Sequence, residues 1–212
     1  MPIHSAAFLD QCADGFTSKG QVALYQACIG RALAYVQVLK SDVAVADGGF
    51  GLGAGTHQIP FMVREILLLC FSCLDSSIHL LHKDNLLIAD LNKTKFMAPP
   101  FLEEHFTKPN GDLLDPWKDV AEHYALDEKG DKRFKTNHLW NTLKHRGMLT
   151  MRIALREDGS PILIFSSIED LNVVTFLDDF CGKVKAWVDK LSEKVNRHQT
   201  FGFPCDNPTR SV

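Results

Sequence analysis

The sequence predicts a mainly α-helical protein, a helical bundle with one β-hairpin between its last two helices. Three observations predict it: long segments whose apolar residues recur every three or four positions, a nearly all-apolar stretch opened by a proline, and two short β-rich runs flanking an Asp-Gly turn. With 212 residues, 45% hydrophobic and 23% charged, the chain is long enough to bury a core without disulfide staples. Residues 1–212 are therefore expected to form a single helical domain.

The first helix is expected from Ser18 to about Lys40, where Tyr25, Cys28, Ala32, Val36 and Leu39 form a stripe and Gln21, Arg31 and Gln37 supply polar positions. Residues 47–55 follow as a glycine-rich loop, since glycine disfavours helix and strand interiors alike. Within it, Gly49-Phe50-Gly51-Leu52-Gly53-Ala54 has the spacing of a dinucleotide-binding turn. The element before it is a helix, with at most a short strand at Val43-Ala44-Val45-Ala46, so no cofactor is expected.

Pro60 suits the first turn of a second helix that runs to about Lys83 and is apolar on nearly every side from Phe61 to Leu74, as a central, buried helix would be. Farther along, Asp75, His79 and His82 are spaced by four and three residues and share one polar face, a candidate supporting face for function. Cys70-Phe71-Ser72-Cys73 has redox-motif spacing, but an apolar helix solvates a thiolate poorly, so core packing is expected.

Residues 86–115, with Pro99, Pro100, Pro109 and Asn110-Gly111, are expected to be an irregular connection. Asp115-Pro116 caps and opens a short helix to about Tyr124, and another helix is expected from Phe134 to Arg146, closed by Gly147. Thr150–Leu155 and Pro161–Ser166 form the hairpin (150–166), turned by Arg156-Glu157-Asp158-Gly159-Ser160. The last helix, Ile168 to Arg197, carries Leu171, Val174, Leu177, Phe180, Val184, Trp187, Leu191 and Val195 on a stripe that packs on the core or on another subunit. Residues 199–212 are an extended tail.

Composition then narrows the function. A net charge of −3 provides no general basic field, so contact with a polyanion would need a local patch. The longest strongly apolar stretch, Ile66 to Leu74, is far short of the roughly 20 residues of a membrane span, and residues 1–14 lack the pattern of a secretory leader. A cytoplasmic location without a membrane partner is expected. Six thinly spread cysteines fit reduced thiols.

Such a patch lies between Lys132 and Gly147, where Lys132, Arg133, Lys135, Asn137, His138, Asn141, Lys144, His145 and Arg146 cluster. Arg and Lys hold phosphate oxygens, Asn orients them, and an imidazole moves a proton near neutral pH. These groups suffice for a ribonuclease that needs no metal. His138 and His145 are seven residues apart, two turns along one side of a regular helix.

The segment Trp140-Asn141-Thr142-Leu143-Lys144-His145-Arg146-Gly147 resembles the signature of HEPN (higher eukaryote and prokaryote nucleotide-binding) domains, in which Arg, commonly followed by Asn, precedes a His by four to six residues. The resemblance implies a cytosolic helical homodimer that binds RNA and cuts it without metal, or a degenerate partner in a toxin or defence system. It implies His145 as acid/base and Asn141 as the phosphate-orienting Asn. Trp140 occupies the place of the family's Arg, so the positive charge would come from Lys144 or Arg146. A second register, Arg133-Phe134-Lys135-Thr136-Asn137-His138, keeps Arg and His at family spacing, and both registers stay open.

Two other classes fit the same residues. One is a non-enzymatic interaction or assembly domain that uses the hairpin and closing helix to hold a protein partner. The other is a helical metalloprotein centred on Asp75, His79 and His82, with Asp119 or Glu122 as added carboxylates.

Overall fold

Three long helices, α1, α2 and α4 below, pack against one another, and a fourth, shorter helix lies on the last of them. The computed structural model describes residues 17–45, 58–84, 112–124, 143, 151–159, 161–165 and 172–200. In chain order these form α1 (Ser18–Val45), α2 (Ile59–Lys83), α3 (Leu114–Tyr124), β1 (Met151–Leu155), β2 (Pro161–Phe165) and α4 (Val173–Thr200). The fold is mainly α with one small antiparallel hairpin. The glycine-rich stretch, most of the 86–115 connection, the helix expected over 134–146 apart from Leu143, and most of the tail lie outside the described residues.

Thr17 Oγ1 accepts the Gly20 N–H at 3.3 Å and so caps α1, satisfying one of the amides a helix start leaves open. The helix continues beyond Lys40 to Val45, and residues 43–45 are helical, not extended. Val43 explains the extension, because it lies one further turn along the stripe of Val22, Tyr25, Ile29, Ala32, Val36 and Leu39 and is buried with them. Cys28 sits at the edge of that stripe, half-buried, whereas Gln21, expected on the polar side, is buried. By length and composition α1 resembles a membrane span, with a mean hydropathy of 1.3 over its most apolar window; its apolar stripe serves as a core face against α2 and α4.

The start of α2 has Pro60 in its first turn and no side-chain cap, a position where a missing N–H costs nothing. At its other end the Asp84 N–H donates to the Leu80 carbonyl at 2.9 Å, and His82 and Lys83 place positive charge near the negative end of the helix dipole. Val63, Ile66, Leu67, Cys70, Phe71, Leu74, Ile78 and Leu81 are sealed from solvent, so α2 is the central helix.

Side-chain ties fix the helix directions. Ser18 at the start of α1 donates to Asp84 at the end of α2 at 2.9 Å, and Lys40 near the end of α1 pairs with Asp178 near the start of α4 at 2.9 Å. α1 therefore runs antiparallel to both neighbours. Phe71 of α2 meets Phe180 of α4 at 5.3 Å between ring centroids, and Phe176 stacks on Phe180 at 5.8 Å. Trp117 of α3 meets the α4 residue Trp187 edge-on at 5.1 Å, a favoured aromatic geometry.

The start of α4 differs from the expected Ile168. Asn172 stops the helix from extending further back: its Oδ1 accepts the N–H groups of Val174 and Thr175 at 3.1 and 3.2 Å, and its backbone forms an isolated bridge to Ile164. Leu171 lies outside the described residues, Val174 is only half-buried, and Val173 and Phe176 take the first core positions instead. The stripe packs inside the protein, on α1, α2 and α3.

The hairpin pairs Met151 with Phe165 and Leu155 with Pro161. Its turn closes through the Gly159 N–H to the Arg156 carbonyl at 3.0 Å, with Gly159 at φ +81°, a left-handed conformation that side chains other than glycine's resist. Leu163 and Ile164 are buried where β2 lies against α4 and α1.

Candidate functional site

Arg133, His138, Asn141, Lys144, His145 and Arg146, the residues singled out for chemistry, lie outside the described residues. Leu143, in the middle of that motif, is described: it is helical, only 5% exposed, and belongs to the hydrophobic core. The motif is thus anchored to the bundle at one known point.

The polar face of α2 is described in full. His79 and His82 are exposed and Asp75 is half-buried. Among the described residues no three His, Cys, Asp or Glu side chains converge as a metal centre requires, and this includes Asp75, His79 and His82. The same stretch departs from simple amphipathicity, because Ser72, Ser76 and Ser77 are buried.

Ser77 shows how a polar group is accommodated there. Its Oγ accepts the Trp187 indole N–H at 2.8 Å and donates to the Leu74 carbonyl at 2.8 Å, so donor and acceptor capacity are both used in a dry interior. This bond joins residues 110 positions apart and ties α2 to α4 through the same Trp187 that Trp117 meets edge-on. The Ser72 hydroxyl and the Trp117 indole N–H find no partner among the described residues.

The most chemically distinctive cluster consists of thiols. Cys70 Sγ on α2 lies 3.5 Å from Cys181 Sγ on α4, both fully buried. Cys73, one turn beyond Cys70, packs against α1 instead, where its Sγ donates to the Tyr25 carbonyl oxygen at 3.8 Å, one turn before Cys28. Cys28 is the half-buried member of the set, and Arg31 follows it by one turn. The hydrogen bond from Cys73, reinforced by the Arg31 charge and opposed by partial burial, brings the Cys28 thiol down to about 7. The bond to Cys28 together with burial pushes Cys73 up, and the bond to Cys181 together with burial pushes Cys70 up.

The sequence marks Cys70-x-x-Cys73 as a pair, yet these two thiols face different helices and each is matched with a cysteine far along the chain. The available signal was positional: Cys28, Cys70, Cys73 and Cys181 all fall on or beside the core faces of three helices expected to pack together. Comparison with protein-family models, with curated proteins and with solved structures yields no match, so the chain's own residues are the whole basis for assigning a function.

Proposed function

We propose that the chain is a HEPN-like RNA-binding domain whose ligand surface is the basic segment from Lys132 to Gly147, with metal-independent cleavage as the activity centred on His145. The observation that carries this reading is the burial of Leu143 within the motif. On a helix advancing about 100° per residue, positions 138, 141 and 145 lie about 140° to 200° around from position 143, on the side away from it. A helical turn through a core-facing Leu143 would then present His138, Asn141 and His145 together to solvent, with Lys144 at their flank and Arg146 nearer the core.

Those groups supply the chemistry of phosphodiester transfer. An imidazole takes the proton of an RNA 2′-hydroxyl as that oxygen attacks the adjacent phosphorus, and Lys144 or Arg146 neutralises the charge that develops on the phosphoryl oxygens. The 5′-oxygen leaves and takes up a proton, and the other product keeps a 2′,3′-cyclic phosphate. Two subunits placed symmetrically would bring two such sets into one cleft, as the family resemblance implies.

The test is incubation of the purified protein with mixed-sequence RNA with and without a chelator. The expected result is binding that weakens as salt rises, and products with cyclic phosphate ends that the chelator leaves unchanged. His145→Ala is expected to abolish cleavage while sparing most of the binding, and Lys144→Ala to weaken binding. RNA that fails to bind at low salt overturns the proposal, and undiminished cutting by the His145 variant overturns the assignment of that residue.

A further inference from the structure

We propose that Cys28 and Cys73 form a peroxide-oxidisable dithiol that closes to a disulfide between α1 and α2. The proposal concerns a different face of the molecule from the RNA segment and stands independently of it.

Four observations carry it. Cys73 Sγ reaches across from α2 to the α1 backbone, 3.8 Å from the Tyr25 carbonyl oxygen and one turn before Cys28, on two helices that lie side by side, so the two thiols meet at one interface. Their exposures are complementary: Cys28 is half-exposed, whereas Cys73 is sealed in the core. An oxidant therefore reaches only one of them. Arg31, fully exposed one turn after Cys28 and held over the Tyr35 ring by bonds to its hydroxyl at 2.9 and 2.6 Å, fixes a positive charge beside that thiol. Cys28 consequently carries a substantial thiolate fraction at neutral pH, and the thiolate is the form that attacks peroxides.

Two balanced steps follow. The Cys28 thiolate attacks one oxygen of a hydrogen peroxide or organic hydroperoxide molecule, the O–O bond breaks, and hydroxide or alkoxide leaves, which converts Cys28 to a sulfenic acid. The Cys73 sulfur then attacks the Cys28 sulfur, the S–O bond breaks, water leaves with the Cys73 proton, and the S–S bond forms. Two electrons pass from the thiols to the peroxide, and a small-molecule thiol or dithiol reductant reverses the change by exchange. Cys70 and Cys181, 3.5 Å apart at sulfur but both sealed from solvent, are the built-in comparison: proximity without access.

The experiment uses the full chain with Cys12 and Cys205 changed to Ser, so that only the four core thiols respond. Brief treatment with hydrogen peroxide is expected to lower the mass by two hydrogens, and peptide mapping is expected to join the Cys28 and Cys73 peptides. The oxidation rate should climb through pH 7 and level off above it. Cys73→Ser should accumulate a dimedone-reactive sulfenic acid on Cys28, and Cys28→Ser should leave Cys73 reduced. An unchanged mass, a bond joining Cys70 to Cys181, or a bond between Cys28 residues of two chains each overturns the proposal. Because mapping needs only the parent thiols, the result holds even if a buried substitution impairs folding.

Discussion

Single side chains at the helix interfaces set much of the specificity of this fold. Ser77 is the clearest case: replacing it with Ala leaves the Trp187 indole N–H buried without its acceptor and should cost about 1–3 kcal/mol in urea unfolding. Adding Trp187→Phe removes the orphaned donor, so the double variant should lose less than the sum of the single changes. Asn172→Ala should cost about 1 kcal/mol by uncapping α4, with Asn172→Asp retaining most of the stability. Cys28 makes the stability of the reduced protein depend on pH. Its thiol is down to about 7 in the folded state against an ordinary 9.0, so between those values the unfolded chain binds more protons and stability rises with pH. That contribution is complete above 9 and is lost as pH falls through 7; above 9 the raised thiols of Cys70 and Cys73 act in the opposite sense. The melting temperature measured under reductant should follow this rise, and Cys28→Ser should flatten it.

Elements were legible where one local rule decides them. The periodic stripe of α1, Pro60 at the head of α2, Asp115-Pro116 near the head of α3 and the Asp-Gly turn each mark structure within a few residues of the signal. Elements were misjudged where a distant partner decides. Val43 extends α1 because it has a place in the core, and Asn172 starts α4 late because its side chain turns back onto the first turn while its backbone pairs with Ile164. Gln21, expected among the polar positions of α1, is buried. The candidate sites divide in the same way: a local motif singles out the basic segment, which apart from Leu143 lies outside the described residues, whereas the approach of Cys73 to the Cys28 turn depends on two helices meeting and has no local signature. The hairpin offers a direct test of local conformation. Gly159→Ala imposes a side chain at φ +81° and should cost about 1–2 kcal/mol, while Gly159→Asn should cost less. Since nothing lies within 4 Å of the added carbon, the loss would report backbone strain and not crowding.

At the scale of the molecule, stability comes from the shared interior and little from the surface. Phe71 touches Phe180 where α2 meets α4, and Phe71→Ala should cost about 3–5 kcal/mol, enough to threaten a fold whose total stability is of order 5–15 kcal/mol. The Lys40–Asp178 pair, exposed at both ends, should contribute under about 1 kcal/mol, and Asp178→Asn should barely shift the unfolding midpoint.

The pairing of the first long helix with the last has a price during synthesis. α1 must wait for α4, which begins roughly 130 residues after α1 ends. At about 5–20 residues per second, a ribosome needs roughly 6–26 seconds to make that stretch, and until then the nascent chain displays an oily ridge whose final cover is incomplete. Newly made copies of this protein should therefore lean on ribosome-associated chaperones.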